Sequence, residues 1–519
     1  MHRTDDRIGG TAAPTAFEPN GVRRRLLMAS ALGAGTALVG CGGGGGGGGG
    51  GTAPPPARPF EATLVYGIRG GTGGQQLFLH RPDGAPVALA PQLAGGVDSF
   101  DLTPDRSSVV CVARESANAF SALYRIDLTA PYVVERLSPA AAAAVGNVRV
   151  FRISPDGSRV AFTGDLNTVN VVEVYVVRTA GGGYARVNGT VGSPPFVELD
   201  LPFPQAWSPD GRYLLQGVRD LNTGRRIGLN IHEMNVGPNS TRITPPLSQP
   251  GAAIGEAQWL PDSSGVVYVA PARAANVPEP QLVRLAQLDT VYLLLTRMQP
   301  EYAASARDIG FAPDSRTVYY RGNFDIPGRI DLYAVPLTAA RGPTMGRQQV
   351  GGPRTDGAGV SRYALSPDGT RIGYISDELS AGLPQLLETN AGATAGGQVT
   401  VLSGPLAPGM SISNFAYTPD SAAVLYRAGS DPQYDLLMVQ RAAPARPARV
   451  HAVPVSGGNI DFDFASVETP RGLAAVHAGD LVNDGARELF FSYLDDLGKS
   501  ARLNAPLAAP ARVDGWRVR

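Results

Sequence analysis

The sequence has little charge, little cysteine and little histidine, and these shortages make several classes of function improbable. Only 17% of its 519 residues are charged, and 45 basic residues balance 45 acidic ones. A surface without net charge exerts no long-range attraction on nucleic acid, so we expect no nucleic-acid partner. The two cysteines, Cys41 and Cys111, provide no disulfide framework. The five histidines show no metal-ligand spacing, and no Gly-x-Ser-x-Gly motif is present. We therefore predict no cofactor, metal or catalytic residues, and favour a role other than that of an enzyme.

The first forty residues have the pattern of an export signal. A polar stretch ends in Arg23-Arg24-Arg25, and an uncharged, mostly apolar stretch then runs from residue 26 to residue 40. That stretch is short for a membrane-spanning helix, which needs about 20 residues, and suits the core of a signal peptide. Arg23 and Arg24, with the leucines that follow, resemble a twin-arginine export motif. Export through the general secretion route and export of the folded chain both stay open.

The apolar stretch ends in Leu38-Val39-Gly40-Cys41, which resembles the lipobox of bacterial lipoproteins. In that family a diacylglycerol is attached to the cysteine thiol, and the chain is cut just before the cysteine. The resemblance implies that residues 1–40 are a lipoprotein signal peptide and that Cys41 is lipidated. The protein would then be anchored in a membrane of the cell envelope and face the periplasm. An aspartate after the cysteine favours the inner membrane in this family, so Gly42 favours the outer membrane.

Residues 41–59 are predicted to be a disordered tether that starts at the lipidated cysteine. Ten glycines run from Gly42 to Gly51, and a proline-rich segment follows as far as Pro59. Neither segment can bury apolar area, so neither is expected to fold. We expect the tether to hold the remaining chain, residues 60–519, on the order of 20–30 Å from the bilayer.

A short phrase built around Pro-Asp repeats through residues 60–519. Proline presets the first corner of a turn, aspartate accepts hydrogen bonds from nearby backbone N–H groups, and a following glycine takes a positive φ without strain. Apolar residues flank each copy with a spacing of two, so each phrase is predicted to join two strands. Successive prolines are 51 to 54 residues apart, and the eighth copy, at Pro470, is degenerate. The seven complete copies contain Pro104 and Asp105, Pro155 and Asp156, Pro209 and Asp210, Pro261 and Asp262, Pro313 and Asp314, Pro367 and Asp368, and Pro419 and Asp420.

Each repeat has room for two further strands, and four strands per repeat are typical of a β-propeller blade. The sequence therefore predicts an all-β fold, a β-propeller of four-stranded antiparallel blades after a disordered N-terminal region. Eight phrases favour eight blades. Strand-like segments also precede the first phrase, at residues 63–67, 76–79 and 87–90. Together with the tail, residues 513–518, they would form one more blade that joins both ends of the domain, so nine blades stay open.

The phrase is clearest at Trp207-Ser208-Pro209-Asp210-Gly211. It resembles the repeat of TolB-like, WD-repeat-like propellers, which also occurs in the propeller domains of prolyl oligopeptidase and dipeptidyl peptidase relatives. The resemblance covers about residues 60–510 and implies a rigid ring whose loops converge on a central funnel. It favours binding of an envelope protein, a peptide or a glycan there. The alternative is a hydrolase or lyase that acts on an envelope polysaccharide or peptide, since fold alone does not decide function.

Three remaining features have structural interpretations. Cys111 and His477 fall in a register that is aromatic in five other repeats, so both are predicted to be buried packing residues. Residues 480–488 resemble a calcium loop, but Val482 stands where an oxygen ligand is required. We favour a polar hairpin loop for that segment.

Overall fold

The computed structural model describes residues 59–518, with gaps at 71–72, 83, 140–145, 168–170, 188–196, 202, 238, 248–250, 273–276, 294–305, 327, 338–346, 353–358, 393–396, 405, 445, 453–457, 482–484 and 508–510. The predicted lipidation site Cys41, the signal motif (Arg23, Arg24, Leu38, Val39 and Gly40) and the tether up to residue 58 lie outside the described residues. In the part that is described, no helix has the length and apolar character needed to cross a membrane.

The regular elements of the described residues are all strands. In chain order they are β1 (Leu64–Arg69), β2 (Gln76–His80), β3 (Val87–Leu89), β4 (Gly96–Leu102), β5 (Ser108–Arg114), β6 (Ala122–Asp127), β7 (Val134–Arg136), β8 (Val148–Ile153), β9 (Arg159–Gly164), β10 (Glu173–Arg178), β11 (Tyr184–Arg186), β12 (Val197–Asp200), β13 (Tyr213–Asp220), β14 (Arg226–Glu233), β15 (Ser240–Arg242), β16 (Ala257–Trp259), β17 (Gly265–Pro271), β18 (Pro278–Arg284), β19 (Gln287–Leu293), β20 (Ala306–Phe311), β21 (Thr317–Gly322), β22 (Asp331–Pro336), β23 (Gln348–Gln349), β24 (Val360–Leu365), β25 (Arg371–Ser376), β26 (Gln385–Asn390), β27 (Thr400–Val401), β28 (Ser411–Tyr417), β29 (Ala423–Ser430), β30 (Gln433–Gln440), β31 (Ala448–Arg449), β32 (Asn459–Thr469), β33 (Gly472–Asp480), β34 (Glu488–Tyr493), β35 (Ala501–Arg502) and β36 (Arg512–Val518).

These strands form nine four-stranded antiparallel sheets within the described ranges. Eight sheets each use four consecutive strands, from β4–β7 to β32–β35. The ninth has the order β3-β2-β1-β36, so the last strand of the chain pairs with the first, with Tyr66 opposite Trp516. The structure thus has nine blades, the number that the terminal segments required. The favoured count of eight is one too low, because the phrases mark only blades whose first two strands follow one another in the chain.

Hydrophobic cores between neighbouring sheets close the nine blades into a ring. In the blade β4–β7, Val109 and Cys111 pack against the blade that contains β1, whereas Val110 and Val112 pack against the blade β8–β11. Side chains that alternate along a strand thus bury both faces of each sheet. The core between the blades that contain β34 and β1 includes Phe60, whose ring centroid lies 4.8 Å from that of Phe491.

The first strand of each blade lies at the axis of the ring, because first strands of neighbouring blades contact one another. Gln258 Nε2 donates to the carbonyl of Ile309 at 2.9 Å, and Asn414 Nδ2 donates to the carbonyl of Phe462 at 2.9 Å. The fourth strands lie at the opposite edges of the sheets, and most of them are only two or three residues long. Side chains of the first strands are therefore the ones that surround the centre.

The Pro-Asp phrase forms the turn between the first and second strands of a blade. At the second copy, Ser154 Oγ donates to Asp156 at 2.5 Å, and the same carboxylate oxygen accepts the N–H of Ser158 at 3.1 Å. Gly157 follows with φ of 74°, and Ser263 holds the same position of another copy with φ of 63°. The local bonds of the aspartate thus fix the turn whether or not a glycine follows.

Turns of successive blades also contact each other. The N–H of Asp210 donates to Ser263 Oγ at 3.1 Å, and the N–H of Asp368 donates to Ser421 Oγ at 3.1 Å. At two of the glycine copies the turns are close packed, since a Cβ at Gly157 would lie 3.0 Å from Pro104 Cδ and one at Gly369 would lie 2.9 Å from Pro313 Cδ. We call this side of the ring the turn face. The loops from second to third strands lie on the opposite side, which we call the mouth face.

Pairing between β1 and β36 is predicted to control the stability of the whole ring. Deleting residues 512–519 removes the first strand of the ninth blade and exposes β1 and the core around Phe60. We expect the melting temperature, followed by circular dichroism, to fall by more than 10 °C. Deleting Gly42 to Gly51 is the control and should leave the melting temperature unchanged. Equal melting temperatures for the two deletions would show that ring closure does not limit stability.

Candidate functional site at the axis

First strands are interrupted by bulges near the mouth face. The register against the second strand shifts between Val97 and Ser99 in β4, between Val360 and Arg362 in β24, and between Ile412 and Asn414 in β28. Comparable shifts occur in β8, β20 and β32. A bulge bends its strand and changes the direction of nearby side chains. Polar groups are thereby presented around the axis.

Four consecutive blades place a polar residue five positions before the proline of the phrase. These residues are Glu256, Asp308, Arg362 and Asn414. Sequence reasoning missed them because it compared only the apolar positions of the repeat. An alignment of the repeats on their prolines contains the signal, since other copies have Ser99, Val150, Pro204 and Ala465 at this position. We define the mouth cluster as Glu256, Asp308, Arg321, Arg362, Tyr363, Asn414 and Phe462.

Arg321 joins the first strands of two blades. Its Nε donates to Asp308 Oδ2 at 2.7 Å, its Nη2 binds the same carboxylate, and its Nη1 donates to the carbonyl of Val360 at 2.7 Å. Asp308 belongs to the bulge of β20 and has a φ of 54°, which is unfavourable for residues other than glycine. The guanidinium therefore stabilises a strained bulge and connects it to β24 in the next blade.

Glu256 supports the same bulge from the other side. Its Oε1 accepts the N–H of Ile309 at 2.9 Å and a hydrogen bond from Gln258 Nε2 at 3.0 Å. Burial raises the pKa of Glu256, and the charge of Asp308 raises it further. The carboxylate is thus occupied by backbone and amide donors, as expected for a residue that positions the strand.

Arg362 is the exception among the charged groups of the mouth cluster. Its guanidinium lies 6.0 Å from the centre of the Phe462 ring, and burial lowers its pKa. The Nε is buried and has no hydrogen-bond partner among the residues that the structure describes. Oδ1 of Asn414 is likewise buried without a partner in the described ranges. One donor and one acceptor thus stay unused on neighbouring first strands.

Other arginines near the mouth face are paired. Arg487 binds Asp461 and Asp463, the latter at 2.5 Å, and Arg114 lies 3.0 Å from Asp98. Arg427 donates to Ser413 Oγ and to the carbonyl of Ile460, both at 2.8 Å. These bonds hold the bulged first strands β4, β28 and β32, and two of the three arginines, Arg487 and Arg114, are paired with acidic side chains.

Residues 103–105 and the later copies of the phrase lie on the turn face, so they are separate from the mouth cluster. Cys111 is fully buried between two blades, and burial raises the pKa of its thiol to about 12. His477 is also fully buried and stacks on Phe490 with 5.9 Å between ring centroids. Burial and the neighbouring His451 lower the pKa of His477 to about 3, so its imidazole is neutral. Both residues therefore have packing roles, as their register predicts.

The segment that resembles a calcium loop includes residues 482–484, which lie outside the described residues. Of its described part, Asp480 accepts the N–H of Gly485 at 3.1 Å, an interaction that closes a turn. Across the residues that are described, no group of three or more histidine, cysteine, aspartate or glutamate side chains is arranged to hold a metal ion.

Comparison of the sequence with family models finds a β-propeller domain. A family model described as the lipoprotein LpqB beta-propeller domain matches residues 43–208, about a third of the chain. No curated protein matches the sequence. The match agrees with the propeller repeat predicted for this part of the chain and does not cover the rest of the ring.

Solved structures give the same fold. Dipeptidyl peptidase 4 from Porphyromonas gingivalis matches at 14% identity with a TM-score of 0.50, over 80% of this chain and 64% of that one. Prolyl oligopeptidase B from Galerina marginata matches at 14% identity and a TM-score of 0.42, over 74% and 55% of the two chains. A protein assigned as TolB from Agrobacterium tumefaciens matches at 15% identity and a TM-score of 0.29, over 53% and 84%. The chain spans about half to two thirds of the two peptidases, and at such identities the likeness shows the fold alone. The predicted resemblance to these propellers is confirmed at that level.

Two arginines of the mouth cluster should respond differently to replacement by methionine. Arg321→Met removes the bonds to Asp308 and Val360, and we expect a loss of about 1–3 kcal/mol in the free energy of unfolding. Arg362→Met removes a guanidinium whose Nε has no bond, and we expect a change within about 0.5 kcal/mol or a small gain. Urea denaturation of both variants measures the difference. Equal losses would show that Arg362 contributes to the fold as Arg321 does.

Proposed function

We propose that this chain is a lipid-anchored protein of the cell envelope whose propeller binds a protein, peptide or glycan partner at the mouth face. The observation that carries the proposal is the mouth cluster, in which the first strands of four successive blades place polar side chains on one side of the axis. Arg362 and Asn414 retain unused hydrogen-bonding atoms there. Such atoms suit recognition, because a partner that supplies the missing hydrogen bonds removes the cost of leaving a buried donor or acceptor unpaired.

The proposed anchor is the thioether of Cys41, and the description of the matching family as a lipoprotein propeller supports it. The domain begins on the turn face. The carbonyl of Pro59 accepts a hydrogen bond from the Tyr493 hydroxyl at 3.1 Å, and Glu61 lies 2.5 Å from Arg471 of the eighth phrase. A tether that ends at Pro59 joins the ring on the side opposite the mouth face. The mouth face then stays accessible from the periplasm, and Gly42 favours the outer membrane as the site of attachment.

Binding has more support than catalysis at this site. A hydrolase or lyase needs a carboxylate or another acid–base group that faces its substrate. In the mouth cluster, Glu256 accepts the N–H of Ile309, and Asp308 is held by Arg321. Both carboxylates thus maintain the shape of β20, and the groups left for a ligand are a cation and an amide oxygen.

The anchor is tested by replacing the lipidated residue. Cys41→Ala removes the thiol that forms the thioether, so we expect the protein to move from the membrane fraction to the soluble fraction on cell fractionation. Gly42→Ala is the matched control and should stay with membranes. A Cys41→Ala protein that still pellets with membranes after a high-salt wash would refute the lipoprotein assignment.

Binding is tested by chemical crosslinking in cells, followed by detergent extraction, affinity purification and mass spectrometry. We expect one envelope component to be recovered in near-stoichiometric amount and to be lost when loops of the mouth face are replaced by Gly-Ser segments. Replacement of loops between third and fourth strands, which lie on the turn face, is the control. Recovery of no component, combined with turnover of an envelope glycan or peptide by the purified chain, would favour the enzyme alternative.

A further inference from the structure

Exposed apolar side chains concentrate on the mouth face. Nine large hydrophobic side chains are exposed in the described residues, and six of them lie on loops between second and third strands. These six come from five blades and include none of the residues of the mouth cluster. We call them the apolar rim, and they are Phe120, Val171, Leu221, Ile326, Leu379 and Leu383.

Arg362 lies at the axis inside this rim, and no acidic side chain of the described residues forms a salt bridge with it. Asp308, the acidic group that influences its pKa, is bound by Arg321. Asp461 and Asp463, which flank Phe462, are bound by Arg487. Glu256 is bound by the N–H of Ile309 and has a pKa raised by burial. The acids of neighbouring blades are therefore engaged elsewhere, and the guanidinium keeps its positive charge and a buried, unbonded Nε.

We infer that the mouth face binds a polypeptide segment that places a carboxylate on Arg362, an inference that rests on the proposed function. A guanidinium binds a carboxylate through two parallel N–H···O bonds, and an unpaired Nε is one of the donors used in that arrangement. The Phe462 ring, whose centre lies 6.0 Å from the guanidinium carbon, flanks this contact. Asn414 Oδ1 accepts an N–H of the same segment.

The apolar rim favours a polypeptide over an acidic glycan. Five of its six side chains are aliphatic, and they stabilise a complex when their apolar surface is removed from water. A partner that has apolar side chains of its own gains in the same way. Sugars are bound mainly by aromatic faces and polar groups, and Phe120 is the one aromatic member of the rim. Arginine is one of the residues enriched among the energetically dominant contacts near the centre of protein–protein interfaces, where the surrounding contacts exclude water.

The test uses the full chain in cells, with a photoreactive benzoylphenylalanine at Leu379, a rim residue on the blade that contains Arg362. Irradiation should capture a polypeptide segment that contains an aspartate, a glutamate or a C-terminal carboxylate. We expect Arg362→Gln to reduce capture at least tenfold, and Arg362→Lys to restore part of it. Arg212→Gln is the matched control, because Arg212 pairs with Glu233 on the turn face; it should not change capture. Circular dichroism of each variant confirms that it is folded.

A synthetic peptide of the captured segment completes the test with the purified full chain in detergent. A version of the peptide with the acid replaced by its amide should bind the wild type at least tenfold more weakly than the acid does. On Arg362→Gln, the acid and the amide should bind equally well, as a double-mutant cycle requires. Equal capture by wild type and Arg362→Gln, or equal affinity of acid and amide, would overturn the carboxylate contact and leave the proposed function intact. Oligouronate binding that depends on Arg362 would overturn the choice of a polypeptide. Recovery of no component in the chemical crosslinking, combined with turnover of an envelope glycan or peptide, would instead count against the proposed function itself.

Discussion

Each blade of this ring is a four-stranded sheet with two apolar faces, and neither face can be buried without a neighbour. That constraint explains why the fold is closed. Strand β36 pairs with β1, so the blade that would otherwise have an open edge contains both ends of the domain. Disruption of the ninth blade would expose the hydrophobic cores on both of its sides. The stability of the whole ring therefore depends on this pairing. Repeat proteins without closure need terminal caps for the same reason.

The two faces of the ring are stabilised by different chemistry. On the turn face, aspartates of the phrase bind their own backbone, and serines such as Ser263 bind the turn of the preceding blade. Glycine gives a tighter contact at the same point, as Gly157 does against Pro104. On the mouth face, first strands are bulged and the blades are crosslinked by arginines. The repeated phrase therefore secures one face, and the other is free to vary from blade to blade.

Some parts of the structure could be predicted from the sequence repeat, and others could not. The regular spacing of the prolines predicts blades, and the fixed register around them correctly predicts that Cys111 and His477 are buried. The ninth blade forms because the strand that contains Val513 and Trp516 pairs with β1. These two strands lie at opposite ends of the domain, so a local sequence pattern cannot specify their contact. One position of the repeat is polar in four successive blades, so an alignment of the repeats could have detected Glu256, Asp308, Arg362 and Asn414. Which of them has a partner depends on the three-dimensional geometry, because Asp308 is bound by Arg321 of the same hairpin, whereas the Nε of Arg362 is left without a bond in the described residues.

The arginine contacts at the mouth face are notable because the chain has few charged residues. A protein with few charged residues places several arginines around one opening and supplies most of them with acids or carbonyls from the same or the next blade. Such crosslinks keep bulged strands in place at the point where the sheets are least regular. Burying part of a guanidinium without a partner costs stability, and a sequence selected only for folding would replace it with an apolar side chain. In the proposed function, a partner that binds the ring accounts for Arg362, whose buried Nε is unbonded in the described residues and lies beside Phe462.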